Sequence, residues 1–395
     1  HMALRRTVGT FFAVKAFHVL RGGHFYATNC VIEGRFGVSI HHDLGTMAII
    51  FFILGIVFMI VGADLLVRGA SRLAVMAGVA PLVVGLTVVA FGTSAPEFAV
   101  SFKAAIADQA SICVGNVVGS NIFNVLFILG ISALVTPLIV APQLIRLDLP
   151  LVIAVSVLAL LMGWDGGFGR LDGAILFGGL LAYVARSVYA SRMEALTAPP
   201  DDITAVIAEP PGRSLVFRLT ANVTFIVIGL VLLVVGANWL VEAAVEFARR
   251  LKVSELVIGL TIVSIGTSLP EVVTSIVASL KGERDIAVGN VIGSNLFNLM
   301  GVLGLSALIA PSGIETTTQV LTFDIPIMIA VAAIALPIFI TGGIISRWEG
   351  GVLLGYYVAY TVYLVMQATD DPRREWLGNA MLYAVIPATV VAMLV

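Results

Sequence analysis

The stretch GLTVVAFGTSAPE, from Gly85 to Glu97, returns as GLTIVSIGTSLPE from Gly259 to Glu271, and VGNVVGSNIFN (Val114 to Asn124) returns as VGNVIGSNLFN (Val288 to Asn298). Both pairs keep a constant offset of 174 residues, so residues 85–134 and 259–308 are two copies of one unit. Each copy sets a glutamate, Glu97 or Glu271, directly after a proline in an otherwise apolar run. A lone carboxylate at the centre of a bilayer costs ~2.5–3.5 kcal/mol or more, so two of them at repeat-related positions imply a cation that they serve.

Composition sets the class. Of 395 residues, 59% are hydrophobic and only 12% charged, with a mean hydropathy of +1.06, which excludes an ordinary soluble domain. The basic residues are scattered through short connections, so no nucleic-acid-binding face is expected. Cys30 and Cys113 form no metal or disulfide pattern, and every histidine lies at or before His42. No resident cofactor is expected.

Apolar runs long enough to cross roughly 30 Å of hydrocarbon are expected at 47–77, 81–106, 112–137, 148–164, 171–190, 222–250, 254–280, 286–310, 322–342 and 348–367. The first and sixth match at the same offset, as VGADLLV (Val61 to Val67) against VGANWLV (Val235 to Val241). The expected fold is therefore an all-α polytopic membrane protein of two five-helix repeats. An odd number of spans per repeat forces the second copy to enter the membrane with opposite topology. Residues 47–190 form the first repeat, 191–219 a short cytoplasmic linker rich in Pro and Asp, and 220–367 the second repeat. Residues 368–395 are a C-terminal extension whose uncharged end, 377–395, is long enough for an eleventh span. Residues 1–46 read as an N-terminal tail that need not be native: His1-Met2 resembles a cloning scar, and Met47 opens an apolar run as a natural start would. With the tail left aside, the Lys and Arg bias places the start of the first span outside, with Arg68, Arg72, Arg146, Arg186, Lys281 and Arg284 cytoplasmic.

In GTSAPE and GTSLPE the proline removes a backbone donor and the glycine upstream lowers the cost of unwinding, so each span is expected to break at mid-depth. The break would free carbonyls such as those of Ala90, Thr93, Ser264 and Thr267. It would also bring the hydroxyls of Thr93, Ser94, Thr267 and Ser268 near the glutamates. Ser120 with Asn124, and Ser294 with Asn298, stand at i and i+4 and share one helical face. Gly115, Gly119, Gly289 and Gly293 should let that face approach the broken helix closely. Two carboxylates with amides, hydroxyls and carbonyls suit a hard cation such as Ca²⁺, which takes roughly six to eight oxygens, while Na⁺ uses the neutral oxygens. Occupancy by one ion that excludes the other is the basis of exchange. Asp64, its counterpart Asn238, and Arg68 read as span-end residues outside the site.

These paired motifs resemble the α-repeats of the calcium/cation antiporter superfamily, and specifically its prokaryotic sodium/calcium exchanger branch. The resemblance implies electrogenic exchange of Na⁺ for Ca²⁺ by alternating access, with the first and sixth spans sliding over a fixed core in a prokaryotic inner membrane and a monomer as the working unit. Carried over by position, Glu97, Glu271 and the carbonyls of Thr93 and Thr267 would hold Ca²⁺. Ser94, Ser120, Ser268, Ser294 and the carbonyls of Ala90 and Ser264 would serve flanking Na⁺ sites, with Asn124 and Asn298 between them. Several relatives carry Asp where this chain has Asn298, which bears on stoichiometry and potassium dependence. The alternative within the same class is an H⁺/Ca²⁺ or other divalent-cation exchanger using the same two glutamates, disfavoured by the absence of a histidine in the partner helix. An intramembrane protease would need an aspartyl or Ser/His pair that the chain lacks, and a channel has less reason for broken helices in repeated copies. No enzymatic activity is expected.

Overall fold

The computed structural model describes residues 41–197, 214–253, 255–340, 342–387 and 389. Most of the tail, the centre of the linker (198–213) and the last residues of the expected eleventh span (391–395) lie outside the described residues.

The apolar runs fold as helices because lipid offers no partner for free backbone groups. They are α1 (His41–Ala77), the bent pair α2 (Pro81–Thr93) and α3 (Ala95–Ile106), α4 (Ala110–Val135), α5 (Leu144–Asp165) and α6 (Arg170–Thr197). The second half repeats the order. It has α7 (Leu215–Arg250), α8 (255–266), α9 (Leu269–Leu280), α10 (Arg284–Ile309), α11 (Val320–Ile340) and α12 (Arg347–Ala368). Among the described residues, eight helices are long and apolar enough to cross a membrane. α2 with α3 makes a ninth span bent by 50°, and α8 with α9 is its repeat counterpart.

Helices α6 and α7 reach into the segment expected as linker, to Thr197 and from Leu215. Ser191 there has a fold role: its hydroxyl accepts the Ala80 N–H at 2.8 Å, satisfying a donor at the start of α2. Ser214 begins α7 by accepting from the Phe217 N–H at 3.3 Å. The C-terminal extension continues as α13 (373–385), tied to α12 where the Tyr356 hydroxyl donates to Thr389 at 2.7 Å.

The two repeats meet in symmetric fashion. Cβ atoms built at Gly55 and Gly62 of α1 would lie 2.8 and 2.7 Å from the carbonyls of Gly236 and Gly229 of α7, and one at Gly69 would lie 2.9 Å from the Asn222 carbonyl. Partner numbers fall as residue numbers rise, so α1 and α7, which are repeat equivalents, run antiparallel. Small residues permit this close backbone approach. Two short antiparallel pairings, Leu138–Ile139 with Ile344–Ile345 and Gly167–Phe168 with Ile314–Glu315, join the connecting loops of one repeat to those of the other.

The core surrounds the broken helices. α4 and α10 are the most buried of the spans, and each widens into a π-helical turn at equivalent places, Asn124–Ile128 and Phe297–Leu303. Such turns recur where a helix carries function.

Candidate cation-binding site

Each break sits one turn before its glutamate. Pro96 and Pro270 begin α3 and α9, the position where a missing N–H costs least, and Glu97 and Glu271 fall in the first turns. The helix N-terminus favours a negative charge there, which helps to keep a carboxylate inside a dry core. In the first break the Ser94 N–H still bonds the Ala90 carbonyl at 3.0 Å; in the second the Ser268 N–H bonds the Ile265 carbonyl at 3.1 Å. The expectation that Ala90 is freed is thus corrected: its carbonyl keeps a helical donor, and the Thr93 hydroxyl lies 3.4 Å from it as well.

The breaks join five of the expected residues, Glu97, Glu271, Ser94, Ser268 and Ser120, through hydrogen bonds. Glu97, Glu271, Thr93, Ser94, Ser120, Ser268, Ser294, Asn124 and Asn298 are all buried, as is Ala90. The Thr267 hydroxyl is buried as well, and the Ser264 side chain lies outside the described residues. Partners cross between the repeats. Ser94 Oγ donates to Glu271 Oε1 at 3.0 Å, and its equivalent Ser268 donates to Glu97 Oε1 at 2.6 Å and lies 3.2 Å from Ser120 Oγ. Asn124 Nδ2 donates to Asn295 Oδ1 at 3.0 Å.

What is left over defines the pocket. Glu97 Oε2, Glu271 Oε2, Asn124 Oδ1, Ser294 Oγ, Thr267 Oγ1 and both amide atoms of Asn298 are buried without a hydrogen-bond partner among the described residues. Unpaired buried polar atoms are costly, so these six oxygens, two from the carboxylates and four neutral, call for a ligand that accepts oxygen donors. The contrast with Asp148 is instructive. That carboxylate is equally buried, yet Tyr183 Oη and Gln143 Nε2 occupy its two oxygens at 3.0 and 3.1 Å, which makes it a closed structural network. Among the described residues no group of three His, Cys, Asp or Glu converges as a metal cluster. Two acids with neutral oxygens suit an ion that binds and leaves.

Residues not singled out from the sequence support the breaks. Asn116 Nδ2 donates to the Glu97 carbonyl at 3.1 Å and to Ser101 Oγ at 2.9 Å; Asn290 Nδ2 donates to the Glu271 carbonyl at 3.4 Å and to Ser275 Oγ at 3.0 Å. The signal was present, since Ser101 and Ser275, like the two asparagines, are identical in both copies. Nothing in the sequence linked helices 15 residues apart.

The glycines of the partner helices behave unequally, against the expectation of equal approach. In α10, Cβ atoms built at Gly289 and Gly293 would meet the Leu82 and Leu86 carbonyls of α2 at 2.9 and 2.6 Å. In α4, Gly115 is exposed and Gly119 half-buried. α2 is therefore closed on α10, whereas α8 does not cover Gly115 and Gly119 of α4 in the same way. The same closed end carries an ion pair between Asp64 of α1 and Lys281, and a 2.7 Å hydrogen bond from Ser71 to Glu283. Arg68 also pairs with Asp64, at 2.8 Å.

Two broken helices that meet at crossed Ser–Glu pairs inside a repeated all-helical bundle define a multi-pass membrane protein with a polar, carboxylate-lined centre. Sequence and structure comparisons identify the family. A family profile described as "Sodium/calcium exchanger protein" matches residues 47–189 and 221–366, and the chain belongs to that family, whose members are cation antiporters. The chain is 39% identical over 281 residues to the "Putative antiporter CaxA" of Alkalimonas amylolytica, covering 70% of this chain and 86% of the relative. It is 34% identical over 305 residues to the "Sodium/calcium exchanger MaX1" of Methanosarcina acetivorans, covering 70% and 87%. The "Inner membrane protein YrbG" of Escherichia coli is 38% identical over 250 residues, covering 62% and 74%. The solved structure of the sodium-calcium exchanger NCX_Mj soaked with zero Na⁺ and Ca²⁺ superposes with a TM-score of 0.68 at 28% identity, over 81% of this chain and 99% of that one.

Proposed function

We propose that this chain exchanges Na⁺ for Ca²⁺ across a prokaryotic inner membrane by alternating access, as a monomer with two inverted repeats. The observation that carries the reading is the pair of crossed bonds, Ser94 to Glu271 and Ser268 to Glu97, each leaving the second carboxylate oxygen free. Two carboxylates balance the charge of Ca²⁺. With the Thr93 and Thr267 carbonyls they give a hard, oxygen-rich cage of the kind that ion prefers. Ser94, Ser120, Ser268, Ser294, Asn124, Asn298 and the carbonyls of Ala90 and Ser264 extend that cage on either side and suit Na⁺. The two sets of oxygens adjoin, so cations in both repel one another; each ion's occupancy weakens the other's, and this competition couples their movements.

Access follows from the unequal packing. The half-site lined by α2 and α10 is sealed, and the one between α8 and α4 leaves Gly115 exposed and Gly119 half-buried. With the orientation set by the basic residues, that less covered side faces outward. The antiparallel α1/α7 pair, with its small residues at the crossing, supplies a surface that can slide as the sides exchange roles.

The test is ⁴⁵Ca²⁺ uptake into proteoliposomes loaded with Na⁺, compared with K⁺ or choline inside and with an imposed pH gradient. Uptake that requires outward Na⁺ supports sodium coupling. Uptake driven by the pH gradient without Na⁺ would replace it with H⁺/Ca²⁺ exchange through the same glutamates.

A further inference from the structure

Asn116 and Asn290 lie outside the proposed ion cage, yet each fastens the carbonyl of a glutamate that forms it. The Glu97 and Glu271 carbonyls can only accept, so each amide nitrogen must face its glutamate. That fixes the amide oxygen in the opposite direction, as a prebuilt acceptor at the edge of the pocket. Asn290 uses it: Thr93 Oγ1 donates to Asn290 Oδ1 at 3.0 Å, across 197 residues of sequence. The repeat-equivalent bond would run from Thr267 to Asn116. It is not made: the buried Thr267 hydroxyl faces the Glu97 carboxylate instead, without making a hydrogen bond to it.

This asymmetry coincides with the packing. Asn290 is fully buried on the side where α2 is closed on α10; Asn116 is half-buried on the side where α8 leaves Gly115 of α4 exposed. The two threonines each stand four residues before a cage glutamate, at the tips of the half-helices that would have to move. Resting on the exchanger reading above, we propose that Asn116 and Asn290 are positioning residues that gate the site by alternation. Thr93 bonded to Asn290 seals one face, and Thr267 bonded to Asn116 seals the other when the first bond opens. Neither amide touches the ion. Each acts by locking the half-helix tip and the backbone of its glutamate in the sealed geometry.

The experiment uses the full chain in proteoliposomes of defined orientation, with the apparent ⁴⁵Ca²⁺ affinity measured at each face. Thr93→Val keeps shape and carbonyl but removes the observed bond. The ratio of the two apparent affinities should move about fivefold toward the face now sealed, the factor that one net hydrogen bond corresponds to. Thr267→Val should move the ratio in the opposite direction, and Thr93→Ser, which retains the hydroxyl, should restore the parent ratio. Amide hydrogen exchange gives a reading that does not depend on transport: residues 81–93 and 284–296 should exchange faster in Thr93→Val and not in Thr267→Val. Shifts of the same sign in both valine variants, or none in either, overturn the proposal. A parent protein with no Na⁺-driven Ca²⁺ flux would overturn the exchanger reading instead, and the exchange pattern would then decide the threonine switch alone.

Discussion

Gly293→Ala should open the sealed face. A Cβ at this position would lie 2.6 Å from the Leu86 carbonyl, 2.7 Å from Leu86 Cα and 2.8 Å from Ala90 Cβ. Ordinary contacts between such atoms are about 3.5–4.0 Å, and the first two neighbours are backbone, so no rotamer change relieves the overlap. α2 must retreat from α10 by roughly an ångström. Overpacking of this kind costs about 1–3 kcal/mol, and the penalty falls only on the conformation in which α2 is closed. The balance between the two access states should therefore shift about 5- to 150-fold away from the observed one. The repeat-equivalent Gly119→Ala, at a glycine that is half-buried here, should leave this state undisturbed while penalising the opposite one. The assay is hydrogen exchange of residues 81–93 and 284–296 in nanodiscs, together with the Ca²⁺ dependence of flux at each face. Exchange and flux equal to the parent in Gly293→Ala, or shifts of the same direction in both alanine variants, would refute the reasoning.

Other outcomes follow from the same geometry. Glu97→Gln and Glu271→Gln should each abolish Na⁺-driven ⁴⁵Ca²⁺ uptake with the thermal melt retained, because each removes one of the two charges that balance the ion; uptake surviving in both variants would sink the site assignment. Asn298→Asp introduces a third acid among buried carboxylates, so protons should compete with the cation and transport should decline as pH falls; an unchanged pH profile would place Asn298 outside the pocket. Replacing Lys281 by Met and Asp64 by Asn in a double-mutant cycle should give a coupling of only about 0.5–1 kcal/mol, since both side chains are partly exposed and solvent screens the pair. Tyr356→Phe removes the bond to Thr389 and should loosen the C-terminal helix, which faster amide exchange over residues 373–387 would register.

Much of this protein was legible in its residues. Apolar runs broken by Gly and Pro disclosed a membrane bundle with interrupted helices, since lipid leaves the backbone few alternatives. The offset of 174 residues disclosed the two copies, and the cost of a carboxylate in lipid singled out Glu97 and Glu271. Tertiary structure decided the rest. Ser94 bonds the glutamate 177 residues away rather than the one three residues on, because packing across the repeat interface exchanges partners between copies. Asn116 and Asn290 acquired a role only when separate helices met at the breaks. The unequal closure of α2 on α10 and α8 on α4 has no counterpart in the motifs, for the two related segments carry the same small and polar residues at the same places. The contacts that seal α2 on α10 join separate helices, so only the folded chain shows which side is sealed.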